Sequence, residues 1–416
     1  MKKSHLIRQI LLSNLSISLP SSYAWNHPIY VFLEVTNRCN LACTMCGRTH
    51  DPRYGQPGHS GDLSLEMVKK LNKIFPFAEY VIPTGVGEPF MNRDLVSMIR
   101  YLKERGSQVS ITSNGTLLSP AHAEGIVDAG LDKIVFSVDA ATRETYEKFR
   151  RNARFENVVR NIRRLSECRA ARKSSVPVIE LELVAMRDNF SELPQWAEMA
   201  AELQCQGLIV QKMLGHTGSP QETIFNEQNL NQIPYSRGQA TWDSFLAVAQ
   251  KHNLYLASPF AALDLRAEFG PDPVPADPSR QAESCDADPP QGVPVPSGPV
   301  EADVPAALPD RPAEPILPET AARRLYCTQP WSVIYVTWKG EVRTCCFNEY
   351  CLGNLEQARF AEIWNGRRYR EMRRAVRKGQ VLDICRDCLK SNLNYSVIKN
   401  WKRSVKEILF RKPGGK

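Results

Sequence analysis

Cys39, Cys43 and Cys46 stand in the run Glu34-Val-Thr-Asn-Arg-Cys-Asn-Leu-Ala-Cys-Thr-Met-Cys-Gly47, spaced C-x3-C-x2-C. Three thiolates on one short loop can hold three irons of a cubane cluster and leave the fourth iron without a protein ligand. A structural cluster or closed zinc site takes four ligands, so a site with one ligand missing is open to something else. A zinc knuckle made of these three and a remote fourth ligand is the competing reading. A second set comprises Cys327, Cys345, Cys346, Cys351, Cys385 and Cys388. Cys385-Arg-Asp-Cys388 is a two-thiolate clip, Cys327 precedes a hairpin pattern and Cys345 ends it. Four thiolates drawn from a hairpin and a distant C-x2-C can close a site completely, with tetrahedral zinc as the rival occupant. Cys346 can take the place of Cys345 through a small backbone change.

Gly85-Val-Gly-Glu-Pro89 follows the next strand pattern. Glycines at a strand's carboxyl end let the backbone approach a ligand, and carbonyls there, with Glu88, can accept from an ammonium group. Ser113 and Asn114 end the third strand pattern, and Ser137 with Asp139 ends the fourth. Polar side chains at those ends are where a barrel reads its ligand, although helix capping also accounts for them. Glu180 and Glu182 share one face of the fifth strand by the period of two, facing either the interior or water. Cys168 and Cys205 sit in apolar helical context and read as buried small residues.

These motifs need a scaffold, and residues 30 to 212 supply one. Apolar runs at 30–36, 80–84, 108–112, 133–138, 178–184 and 207–211 alternate with helical patterns at 65–75, 94–105, 121–129, 155–169 and 193–203. Repeated βα units imply a parallel sheet, and six of them imply an open, partial (β/α)6 barrel, smaller than the closed eight-unit form. After residue 325 the runs 331–338 and 341–345 read as a hairpin, followed by helices at 360–364 and 369–378, which makes a small α+β extension.

From Gly270 to Thr320 there are fourteen prolines, no aromatic residue, ten acidic residues and two basic ones. Such a segment buries too little apolar surface to offset its ordering entropy and reads as a disordered insertion, with Cys285 a bystander. The expected divisions are 1–29 as a lead-in, 30–268 as the core, 269–322 as the linker, 323–394 as the extension and 395–416 as a basic tail. Ile7, Ile10, Leu11 and Leu15 fall at helical spacing, so the lead-in reads as an amphipathic helix packed on the barrel and not as a signal peptide.

The chain has 416 residues, 43% of them hydrophobic, which suits a large globular core with a smaller partner. Twelve cysteines in a chain of this length read as metal ligands and not as a disulfide framework, so the expected compartment is reducing and cytoplasmic. No run reaches the roughly 18 unbroken apolar residues of a membrane span. The net charge of +8 gathers at the C-terminus, where residues 367 to 416 hold sixteen Lys or Arg against four Asp or Glu. Such a tail can attract nucleic acid, an acidic leader peptide or an anionic membrane; a solvated helix surface is the plainer account, and nucleic acid is not the expected partner.

Taken together, C-x3-C-x2-C, the Gly85 to Pro89 motif one unit later and the βα alternation resemble the radical S-adenosylmethionine (SAM) enzymes. The family has an aromatic residue or similar before its last cysteine; this chain has Met45, and the resemblance implies that its backbone serves the cofactor. It further implies that Cys39, Cys43 and Cys46 hold a [4Fe-4S] cluster. Gly85, Gly87, Glu88 and Pro89 would hold the SAM amino group, and Ser113, Asn114, Ser137 and Asp139 would contact its ribose and carboxylate. Cys327-x-x-Pro-Trp331, Gly353-Asn-Leu355 and Glu362-Ile-Trp364 resemble the family's twitch or SPASM extension, which implies an auxiliary cluster. The two-cluster form needs about seven cysteines and none follows Cys388, so one auxiliary [4Fe-4S] cluster is expected, on Cys327, Cys345, Cys385 and Cys388. The implied chemistry is reductive cleavage of SAM to a 5′-deoxyadenosyl radical that abstracts hydrogen from a peptide or small natural product. An external one-electron reductant of flavodoxin or ferredoxin type is implied as well. A sugar or cyclitol alcohol dehydrogenase is the alternative within the family. A non-catalytic iron–sulfur carrier or zinc module is the alternative outside it.

Overall fold

The computed structural model describes residues 3–19, 21–54, 56–213, 221–257, 268–272, 327–346 and 349–378. Most of the proline-rich segment, Cys285, Cys385, Cys388 and the basic tail lie outside them. Six strands follow one another with helices between: β1 Tyr30–Leu33, β2 Tyr80–Ile82, β3 Gln108–Ser113, β4 Lys133–Ser137, β5 Val178–Ala185 and β6 Gly207–Lys212. Each pairs in parallel with the next, giving the α/β partial barrel expected of six βα units. A short β7, Tyr255–Leu256, extends the sheet beyond β6.

The first strand alternates cleanly. Val31 and Leu33 of β1, followed by Val35, are 0% exposed against the helices, whereas Tyr30, Phe32 and Glu34 belong to the set facing the barrel interior. The helices answer with apolar stripes. Leu95–Glu104 buries Leu95, Met98, Ile99 and Leu102, the i, i+3, i+4, i+7 pattern of one helical face. Each such side chain taken from water contributes roughly 1.5–3 kcal/mol.

The extension is not a separate bead. Its first strand, β8 Val333–Val336, lies parallel to β1 in the register Tyr30↔Val333 to Leu33↔Val336. β9 Glu341–Arg343 and β10 Gly353–Asn354 then continue antiparallel, so the described strands form one ten-stranded sheet. Helices Phe360–Trp364 and Arg367–Arg377 close over it. Arg373, fully buried, lies over the rings of Trp364 and Tyr369 at 4.6 and 4.8 Å and donates to the Pro330 carbonyl at 2.9 Å. Burial pushes its guanidinium down to about 10. Trp364 Nε1 donates to the Asn26 carbonyl at 2.8 Å, tying extension to lead-in.

Three local readings differ from expectation. The lead-in helix, Lys3–Ser18, buries Ile10 but leaves Leu11 and Leu15 exposed. Phe269, placed by composition at the head of the linker, is buried against Phe190, and Gly270 bridges to Pro234, so packed structure runs to Asp272. Cys168 is half-exposed and accepts from Arg172 at 3.0 Å, whereas Cys205 is buried. The helix Tyr235–Lys251 carries no motif that singled it out in the sequence. Among the described residues no helix is long and apolar enough to cross a membrane.

Candidate active site at the barrel mouth

The cysteine loop leaves β1 at its carboxyl end and is pinned from two sides. Ala42 and Thr44 donate backbone N–H groups to the carbonyls of Arg151 and Phe149, at 3.2 and 2.9 Å. Asn40 donates to Thr116 Oγ1 at 2.8 Å, and Asn114 Nδ2 reaches Asn40 Oδ1 at 3.1 Å and Cys39 Sγ at 3.9 Å. Cys39, Cys43 and Cys46 are free thiols on this one loop, Cys43 buried and the other two half-buried. Three thiolates on one loop, C-x3-C-x2-C, are the donor set of a cluster that keeps one iron open. Burial pushes the Cys43 thiol up to about 11. Met45 packs its side chain toward Phe149, Met186 and Met213.

Gly85 and Gly87 are glycines because of that loop. A Cβ on Gly87 would sit 2.4 Å from the Arg38 carbonyl oxygen and 2.5 Å from that of Thr36, and one on Gly85 would sit 2.4 Å from the Glu34 side chain. Close approach is required, but its immediate partner is the chain itself. Glu88, 2% exposed, accepts from Ser113 Oγ at 2.7 Å, the Asn114 N–H at 2.8 Å and the Phe90 N–H at 3.3 Å. Burial raises its carboxyl above the ordinary range, and those donors oppose the rise. Pro89, buried, opens the turn that Glu88 caps. Glu88, Ser113 and Asn114 thus form one knot behind Cys39, instead of three independent contacts.

Asp139 is 0% exposed and accepts from Arg150 Nε at 2.6 Å and the Val184 N–H at 2.8 Å. Arg150, held fully charged by Asp139 despite its burial, places Nη1 4.0 Å from Cys43 Sγ. Ser137 Oγ lies 3.5 Å from Glu182, which also accepts from Gln211 Nε2 at 2.6 Å. Glu182 faces the interior as one of the sequence alternatives had it, and burial raises its carboxyl. Glu180 closes the opposite end with Lys133 at 2.8 Å and a bond from the Tyr255 hydroxyl.

On the extension side, Glu34 accepts from the Tyr335 hydroxyl at 3.0 Å and the Trp338 N–H at 3.2 Å. A polar cavity of about 160 Å³ opens there, lined by Glu34, Tyr54, Tyr335, Trp338, Arg343 and Cys346 among others. Cys345 is half-buried, whereas Cys346 is exposed and lines the cavity. Cys327 is half-buried at the start of the extension. Sequence reasoning missed Glu34 and Arg150. A carboxylate inside the apolar run Tyr-Val-Phe-Leu-Glu-Val was a usable signal, since a buried charge needs partners; Arg150, within a basic stretch, gave none.

Residues 33–199 match the radical SAM superfamily and residues 327–389 the SPASM iron–sulfur cluster-binding domain. The chain belongs to the radical SAM superfamily, with SAM, a [4Fe-4S] cluster and auxiliary iron–sulfur binding as its cofactor complement. It is 27% identical over 206 residues to the tungsten-containing aldehyde ferredoxin oxidoreductase cofactor-modifying protein of Pyrococcus furiosus, covering 49% of this chain and 57% of that one. It is 29% identical over 184 residues to a probable GTP 3′,8-cyclase of Methanocaldococcus jannaschii, covering 43% and 56%. The chain thus spans little more than half the length of these relatives. In fold it is similar to Streptococcus suis SuiB bound to S-adenosylmethionine, with TM-score 0.54 and 11% identity over 83% of this chain and 68% of that one. Native anSMEcpe with bound AdoMet gives TM-score 0.51 and 15% identity over 87% of each chain.

Proposed function

We propose that this chain cleaves SAM reductively and abstracts hydrogen from a peptide or small natural-product substrate held between the barrel mouth and the extension. The observation that carries this reading is the bridge from Glu34 to Tyr335 and Trp338. It sets a polar cavity between the Gly85 to Pro89 turn and the Cys345–Cys346 corner. Cys39, Cys43 and Cys46 would hold the cluster, which when bound would supply the one-electron reduction that cleaves SAM.

The chain's own residues position and shield. Glu88, Ser113 and Asn114 tie the second and third strand ends together where the SAM amino group would be held, and Gly85, Gly87 and Pro89 keep that turn against the cysteine loop. Arg150, locked by Asp139, presents fixed positive charge beside Cys43. Ser137 meets Glu182 on the inner wall, and Ser137 would contact the bound cofactor. Cys327 and Cys345, with Cys385 and Cys388, are the ligands assigned to one auxiliary [4Fe-4S] cluster. SuiB has been solved with its precursor peptide SuiA, which makes a ribosomal peptide the first substrate class to test. An external one-electron carrier supplies the electron.

Anaerobically reconstituted protein, given dithionite and SAM, is expected to release 5′-deoxyadenosine, and the Cys39→Ala, Cys43→Ala, Cys46→Ala triple variant is not. A fully loaded wild-type protein that leaves SAM intact would sink the proposal.

A further inference from the structure

The lead-in helix buries polar side chains beside Ile10 and leaves leucines outside. Lys3–Ser18 turns Gln9, Ser13 and Ser16 toward the protein, where they are 4%, 1% and 0% exposed, while Leu11 and Leu15 stand 62% and 46% exposed. Hydrogen bonds fix this orientation. Gln9 Oε1 accepts from the His27 N–H at 2.8 Å, and Ser16 Oγ accepts from the Trp25 N–H at 3.0 Å. Arg377 donates to the Ser16 carbonyl at 2.9 Å. Leu19, Tyr23 and Trp25 carry the exposed apolar surface onward. Five of the seven exposed large apolar side chains among the described residues therefore fall between positions 11 and 25. Single exposed leucines are ordinary; a cluster of them marks an interface.

The surrounding charge says what covers it. Residues 1 to 29 contain no Asp or Glu, and Arg8 is exposed on the same helix. The helix joined to it through Arg377 reads Arg-Arg-Tyr-Arg-Glu-Met-Arg-Arg-Ala-Val-Arg, with Arg374 and the following Lys378 exposed. A leucine stripe ending in Tyr and Trp within a cationic surround matches the boundary between headgroups and acyl chains of an anionic bilayer. A second copy of the chain would set like charge against like.

We infer that the leucine stripe of the lead-in helix and the arginine-rich helix beside it form one docking surface for an anionic membrane. Backbone bonds from Ile29 to Ser332 and from Glu79 to Ile29 tie this segment to the amino ends of β1, β2 and β8. The cysteine loop sits at the opposite, carboxyl end, so a docked molecule keeps its mouth open to water.

The test is co-sedimentation of the full-length, cluster-loaded protein with vesicles of phosphatidylcholine alone or with about a third phosphatidylserine. Binding is expected to the anionic vesicles and to weaken with salt. Leu11→Gln with Leu15→Gln should lower it about tenfold or more, because both side chains lie at the surface that loses its apolar area. Arg374→Gln with Lys378→Gln should lower it about fivefold per charge. Unchanged iron content and thermal midpoint establish that these variants are folded. Failure to sediment with anionic vesicles, equal binding to neutral ones, or full binding by the leucine variant would each overturn the inference. So would a dimer in solution that the leucine variant disperses, which would assign the stripe to a second copy.

Discussion

Tyr335 donates its hydroxyl to Glu34 at 3.0 Å across a separation of 301 residues, joining the first strand of the barrel to the first strand of the extension. Burial raises the Glu34 carboxyl, and the Trp338 N–H and the Tyr335 hydroxyl hold it back. A carboxyl raised in the fold contributes stability that is present below its unfolded pKa and lost as pH rises through the folded value.

The first prediction follows from that sign. Glu34→Gln removes the titrating group, so the difference in stability between variant and wild type should move in the variant's favour from acid to neutral pH. Denaturant midpoints measured across that range check it; parallel curves would mean that Glu34 is not raised. Tyr335→Phe, which leaves the carboxylate short of a donor, should cost about 1–3 kcal/mol at neutral pH.

Gly87→Ala should cost the SAM-side cluster. The atoms it meets are backbone carbonyl oxygens of Thr36 and Arg38, which cannot rotate away, so the cysteine loop itself must move. Iron content near half that of wild type, with secondary structure retained by circular dichroism, is the expected result. Full iron loading would show that the loop tolerates the shift.

Replacing Arg150 with Met leaves Asp139 charged and buried without its partner. Breaking a buried pair in this way costs about 3–5 kcal/mol, and adding Asp139→Asn should recover much of it. Urea unfolding of the two single variants and the double variant tests the coupling. Simple additivity would mean that the pair does not act as a unit.

The two adjacent cysteines should separate by iron analysis. Cys345 is half-buried, whereas Cys346 is exposed at the cavity. Cys345→Ala is expected to lose the auxiliary cluster and Cys346→Ala to keep it. The reverse pattern would exchange their roles.

What the sequence disclosed follows from how narrowly each feature is constrained. Iron ligation fixes thiolate spacing, so Cys39, Cys43 and Cys46 stand out, and the buried strands announce themselves as apolar runs. Arg150 does not, because Arg150-Arg151 reads as solvent-facing until Asp139 and Cys43 are folded against it. The lead-in helix misled for a different reason. Spacing shows that Leu11 and Leu15 share a face, but polar bonds from Gln9 and Ser16 decide which face meets the protein. Glu88 was legible as a residue and not as a knot, since its partners lie 25 and 26 positions away.

The pairing of β8 with β1 also bears on how such a chain can be shortened. A version ending before Cys327 would lose more than iron ligands: the backbone N–H and C=O groups of Tyr30–Leu33 that now bond to β8 would become a bare sheet margin. An uncovered margin made of Tyr, Val, Phe and Leu invites pairing between molecules. Insolubility of a truncated barrel would then report a lost neighbour strand and say nothing about whether the auxiliary cluster is needed for chemistry.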